Sequence, residues 1–226
     1  MNYHINTILV WDSFKKKDEC PLCLIESAIE KQIINQYLNE AVMEDDYRKD
    51  VNKYGFCKMH FKNLYDRENK LGLALQTDTR IKYLTKLLKT ADTTKEAAKI
   101  SQNIKKELST CIICNVVEFN MSGYFETIPK MYHNENEFAK IFKESKGFCL
   151  KHYARLLDTA KFAGGSTKGY LTDLTTIEKD NIERLEKELA FFTEKFDYRN
   201  AEKSWGTCED ALPRSLNKIH GNVINK

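Results

Sequence analysis

The chain has 226 residues, 42% hydrophobic and 31% charged, with only 9 Gly and 3 Pro. This composition excludes a disordered or fibrous chain, and so few turn formers leave little room for an all-β sandwich or barrel. A formal net charge of +3 is too small an excess to imply a nucleic-acid or membrane partner, so an all-α fold of one or two compact bodies is expected.

In chain order, the N-terminus has no basic start, and its apolar run from Thr7 to Trp11 is too short for a signal-peptide core. Nowhere do 18 apolar residues follow one another, so a soluble, cytoplasmic protein with reduced thiols is expected. The Lys15–Lys17 run reads as a solvated turn. Leu22, Ile25, Ile29, Ile33 and Tyr37 recur at helical spacing and predict an amphipathic helix to about Met43, opened by Cys20-Pro-Leu-Cys23. A polar segment from Asp45 to Tyr54 leads to Gly55, and a second helix is predicted from Cys57 through Ile81, Leu84, Leu87 and Leu88, with a break at Gly72. The Lys-, Ala- and Thr-rich stretch from Ala91 to Ser109 predicts a helix with frayed ends. Cys111-Ile-Ile-Cys114 then opens a helix to about Tyr132, followed by a short helix over Glu135 to Glu144. Another helix starts at Cys149, with a break at Gly164-Gly165. Beyond it Leu171, Leu174, Ile182, Leu185, Leu189, Phe192 and Phe196 keep a helical stripe. The tail is polar with aromatics, then carries a short amphipathic helix with Ala211, Leu212, Leu216 and Ile219. Trp205 and Tyr198 are expected to cover the bundle, the alternative being a partner-binding patch.

These elements are duplicated. Cys20-x-x-Cys23 and Gly55-Phe-Cys57-x-x-His60 return as Cys111-x-x-Cys114 and Gly147-Phe-Cys149-x-x-His152, at offsets of 91 and 92. Six of the seven cysteines and two of the five histidines fall at matched positions, as do Leu64 with Leu156 and Asp66 with Asp158. The expected organisation is a first metal-binding repeat over 1–92, a second over 93–198 and a tail over 199–226. Cys208 reads as a small, semi-buried residue outside both sets. His4, His133 and His220 have no partner spacing and read as surface or capping groups.

A CxxC or CxxH pair at a helix start sets two side chains on one face, where they can grip a single ion. Taken copy by copy, Cys20, Cys23, Cys57 and His60 make one Cys3His set, and Cys111, Cys114, Cys149 and His152 a second. Each matches the composition of a closed tetrahedral zinc site. An exchange of pairs between the copies satisfies the spacing equally well. Two zinc ions are expected, with an iron–sulfur cluster as the runner-up and metal-free thiol chemistry as the third reading. A thioredoxin-like motif would follow a buried strand, and here helices surround Cys20. Four ligands fill the shell, and Glu26 is matched by Val117 in the second copy, so no general base repeats and no catalytic residue is assigned.

The paired motifs, together with Lys195-Phe-Asp-Tyr-Arg-Asn200, Trp205-Gly and Asp210-Ala-Leu, resemble an uncharacterised bacterial family of unknown function over nearly the whole chain. Lys151 stands where that family often has proline, outside the ligand positions. The resemblance implies a helical protein with paired Cys/His sets and brings no activity with it. The resulting expectation is a non-enzymatic zinc scaffold or adaptor with an unidentified protein partner. The alternatives are a nucleic-acid-associated zinc module and an iron–sulfur or thiol redox protein.

Overall fold

The computed structural model describes residues 5–200 and 202–222, so that His4 lies outside the described residues. Among the described residues all regular structure is helical. The α-helices are α1 (Ile5–Lys15), α2 (Pro21–Leu38), α3 (Asp45–Tyr54), α4 (Lys58–Tyr65), α5 (Lys70–Leu87), α6 (Thr94–Leu108), α7 (Ile112–Asn134), α8 (Asn136–Lys143), α9 (Leu150–Asp158), α10 (Thr167–Glu194) and α11 (Ala211–His220). None is long and apolar enough to cross a membrane.

The local signals locate most of these helices. Pro21 opens α2, where its missing N–H costs nothing. The stripe from Leu22 to Tyr37 is buried throughout. Thr93 and Glu96 form a reciprocal capping box that starts α6. Three expectations change. The polar segment before Gly55 is itself helical, as α3. The break expected at Gly72 falls earlier, because Asn69 caps α5 by accepting from the Gly72 N–H at 2.8 Å. Helix α1, not anticipated as an element, buries Val10 and Phe14.

Compactness divides the chain into two units, Met1–Ser27 with Met121–Lys226, and Ala28–Asn120. The divisions fall inside α2 and α7. In the first unit, Phe14, Phe138, Phe142 and Phe148 pack with ring centroids 5.1–6.3 Å apart, and Tyr132 and Tyr170 extend this cluster. In the second, Tyr37, Phe56 and Phe61 form an edge-to-face series, and Ile33, Ile34, Val51 and Leu64 are buried in the same unit.

The tail helix reverses its expected polarity. Leu212, Leu216 and Ile219 are exposed, whereas Arg214 and Lys218 are buried. Burying cations is tolerable only against anions. Arg214 meets Glu19 at 3.3 Å and Asp210 at 2.7 Å, and Lys218 meets Glu178 at 3.5 Å. Trp205 packs on Phe192 with centroids 5.6 Å apart, as expected of a covering residue, but Tyr198 is 86% exposed and covers nothing.

Candidate metal centres

All four ligand pairs sit at helix starts. Cys57 and Cys149 are the N-cap residues of α4 and α9, while Cys20 and Cys111 immediately precede α2 and α7. The backbone carbonyls of Cys57, Cys111 and Cys149 accept the first bonds of their helices, from Phe61, Asn115 and Tyr153. The side chains are thereby left free, and each converges on a region where two helix N-termini point their N–H groups.

The pairs combine across the duplication. Cys20 and Cys23 meet Cys149 and His152, and Cys57 and His60 meet Cys111 and Cys114. All eight predicted residues are used, but the grouping by copy, with Cys20 and Cys23 beside Cys57 and His60, is corrected to this exchange. Spacing is blind to the choice because both copies carry the same pairs. The first set is termed the outer site, since its ligands bracket the others in sequence, and the second the inner site. Each lies wholly within one compact unit.

The geometry can be held against an ion. A tetrahedral zinc with Zn–S near 2.3 Å and Zn–N near 2.0 Å sets its sulfurs about 3.8 Å apart and its sulfur–nitrogen edges at about 3.5 Å. In the outer site Cys23 Sγ and Cys149 Sγ are 3.6 Å apart, and His152 Nδ1 lies 3.3–3.5 Å from the three sulfurs. In the inner site Cys57 Sγ and Cys114 Sγ are 3.9 Å apart, with His60 Nδ1 3.2–3.4 Å from its sulfurs. The donor atoms of each set lie within 4.8 Å of one another. The sets therefore match the shell of a single divalent ion.

Both imidazoles present Nδ1 to the sulfurs and turn Nε2 to a carboxylate. His60 Nε2 is 2.9 Å from Glu30, and His152 Nε2 is 3.3 Å from Glu26. A carboxylate behind a ligating histidine fixes the ring and raises its donor strength. Sequence comparison of the copies missed both residues: the offset counterparts of Glu26 and Glu30 are Val117 and Met121, so nothing repeats. The signal available was their spacing of four on α2, the same helix that opens with Cys20 and Cys23.

Charge within the sites is tightly coupled. Burial works against a charged ring, but the Cys111 thiolate and the Glu30 carboxylate push His60 up to about 10. Burial is likewise outweighed at His152, which Cys149, Cys23 and Glu26 push up to about 11. Sulfur-to-sulfur hydrogen bonding from Cys114 lowers Cys111 to about 3, while the same contact raises Cys114. Burial raises Cys20, and hydrogen bonds from Cys20 and Cys23 hold Cys149 far below the usual thiol range. Crowded sulfurs of this kind demand either protons or a cation to offset their charge.

The glycine of each Gly-Phe-Cys motif has a structural role just before its ligands. Gly55 and Gly147 adopt φ of +62° and +79°. A Cβ at Gly147 would stand 2.6 Å from a Glu178 carboxylate oxygen, and one at Gly55 would stand 3.1 Å from Arg80 Nε. At the outer site the tail also closes in. Asn222 donates to the Cys23 carbonyl at 2.9 Å, and Gly221 passes close to the Cys23 and Cys149 sulfurs.

A family model described as a family of unknown function (DUF6062) matches residues 1–226. The chain belongs to this family. No curated protein and no solved structure matches it. Membership in the family agrees with the resemblance to an uncharacterised family, and the chemical evidence of role among the described residues rests on the two Cys3His clusters.

Proposed function

We propose that this is a structural zinc protein, in which each Cys3His cluster holds one Zn2+ and the pinned helical body serves as a scaffold or adaptor in the cytoplasm. The observation that carries the reading is the pair of four-donor shells with the edge lengths of a tetrahedral ion, each backed by a carboxylate on the distal imidazole nitrogen. Four protein donors leave no open position for a substrate or an activated water, which weighs against catalysis. Donor atoms within 4.8 Å leave room for one ion and too little for a cluster of several irons, which weighs against the iron–sulfur reading. The duplication, with halves over 1–92 and 93–198 and a tail over 199–226, supplies the paired motifs.

Mass-spectrometric metal analysis of the untagged protein, purified without chelators, tests this. Two zinc per chain are expected, and iron with acid-labile sulfide would overturn the reading. The crossed pairing has its own signature. Cys20→Ser and Cys149→Ser each lose one ion and their double variant loses no more, whereas Cys20→Ser combined with Cys57→Ser loses both. A scaffold further requires a stable protein partner, sought by co-purification from native cells. Salt-sensitive retention on mixed DNA or RNA would favour the nucleic-acid alternative instead.

A further inference from the structure

Two sulfurs of the inner site reach the surface. Cys114 is exposed and Cys57 half-buried, whereas Cys111 is 4% and His60 7% exposed, so the shell opens along one sulfur–sulfur edge. That edge is short: Cys57 Sγ and Cys114 Sγ stand 3.9 Å apart. Its two ends come from different elements, Cys57 from the N-cap of α4 and Cys114 from the first turn of α7. The outer site offers no such edge. All four of its ligands are buried, and Gly221 lies against the sulfurs of Cys23 and Cys149.

A thiol held on a divalent cation is a thiolate, and the thiolate is the nucleophilic form of the sulfur. With zinc in place, Cys114 is a nucleophile that solvent reaches, open to alkylating agents and to two-electron oxidants. The neighbouring sulfur decides between them. An alkylated Cys114 would gain nothing from Cys57, whereas an oxidised one has a second thiolate at 3.9 Å that can close a disulfide. A bond of about 2 Å requires the sulfurs to approach by about 2 Å, within the sweep of side-chain rotation at the two residues. Cys111 is the less suited partner, because it is buried and its sulfur makes the shortest contact with His60 Nδ1, 3.2 Å.

We propose that the inner site is a reversible oxidation site for hydroperoxides, at which Cys114 takes the peroxide oxygen and Cys57 closes a disulfide onto it. The proposal rests on the zinc reading of the site. With hydrogen peroxide, the Cys114 sulfur attacks one oxygen: an S–O bond forms, the O–O bond breaks and hydroxide leaves with the electron pair. The Cys57 sulfur then attacks the Cys114 sulfur, so that an S–S bond forms, the S–O bond breaks and a second hydroxide leaves. Two thiolates give up two electrons, and one peroxide is reduced to two hydroxide ions. Cys111 and His60 remain as donors, too few to hold the ion, and zinc is released. A dithiol reverses the step by exchange.

The full-length protein, purified without chelators, is assayed for zinc and then treated with hydrogen peroxide in the presence of a chromophoric zinc indicator. Release of one of the two ions is expected, with non-reducing peptide mass spectrometry showing Cys57 joined to Cys114 and the outer cysteines still alkylatable after unfolding. Dithiothreitol, desalting and added zinc restore the second ion. Cys208 lies outside both shells, so its oxidation frees no zinc. Cys114→His keeps four donors but removes the exposed thiolate, and is expected to lose the peroxide-driven release. Should that variant hold a single ion, Cys57→His takes its place and is expected to trap Cys114 as a sulfenic acid that dimedone labels. Fewer than two zinc before peroxide overturns the zinc reading and this proposal with it. Two ions that both withstand peroxide or leave at one rate, a disulfide from Cys114 to Cys111, or release from Cys114→His as fast as from the parent overturns the proposal and leaves the zinc reading standing.

Discussion

His60 and His152 each join three sulfurs on one side of the ring to a carboxylate on the other, and the sulfurs and the carboxylate make different contributions. The sulfurs would set where an ion sits, and Glu30 and Glu26 stand where they orient the ring that would complete the shell. Losing such a carboxylate typically costs about 10–100-fold in metal affinity. Glu30→Gln is therefore expected to weaken zinc at the inner site by that factor and leave the outer ion untouched, with Glu26→Gln doing the converse. Competition against a chromophoric chelator reads both, and equal weakening at the two sites would refute the assignment. The proton balance follows from the same residues. His60 is pushed up to about 10, and Cys114 is raised above the ordinary thiol value, so both hold protons at neutral pH and must release them when an ion binds. Zinc affinity at the inner site thus rises with pH toward about 10, and its binding enthalpy depends on the ionisation heat of the buffer. A buffer-independent enthalpy would contradict this.

At the scale of elements, α11 shows how packing sets the orientation of a helix whose apolar residues point outward. Its buried face carries Lys218, which pairs with Glu178 and donates to the Lys146 carbonyl at 2.7 Å. Glu178 in turn accepts from the Phe148 N–H at 2.8 Å, one residue before the ligand Cys149. Burial raises Glu178 and lowers Lys218, so each depends on the other to remain charged. Removing one partner strands the other, at a cost of about 3–5 kcal/mol. Lys218→Met is expected to lower stability by that amount in chemical denaturation, and adding Glu178→Gln should recover part of it; a double variant no better than the single would disprove the coupling. This face was not legible in the sequence, where Leu212, Leu216 and Ile219 suggested the opposite side. Its partners lie on α10 and before α9, and a local period carries no trace of them. The stripe of α2 and the four ligand pairs were legible for the complementary reason: residues three or four apart on one helix interact wherever that helix goes. Which CxxC closes on which CxxH, and which carboxylate backs each ring, depends on chain topology, and the two diverged copies carry no spacing difference that records it.

Over the whole molecule, the exchange of pairs makes the two sites unequal although their donors are identical in type. Outer ligands Cys23 and Cys149 are 126 residues apart in sequence, while His60 and Cys111 of the inner site are 51 apart. The longer loop would give an outer ion the larger entropic effect on the unfolded chain, by about 0.8 kcal/mol from loop closure alone. Access differs more sharply. All four outer ligands are buried, with Cys149 and His152 at 0% and 1% exposure, and Gly221 and Asn222 pack against them. At the inner site Cys57 is half-buried and Cys114 exposed. A chelator reaches zinc by attacking an open edge of the shell, so the inner ion is expected to leave first. Zinc transfer to 4-(2-pyridylazo)resorcinol should run in two phases of one ion each. The fast phase should vanish in Cys111→Ser and the slow phase in Cys149→Ser. Melting after the fast phase alone should show the unit Ala28–Asn120 destabilised before the remainder, whereas a single kinetic phase, or loss of the Cys149 ion first, would show that burial does not control release.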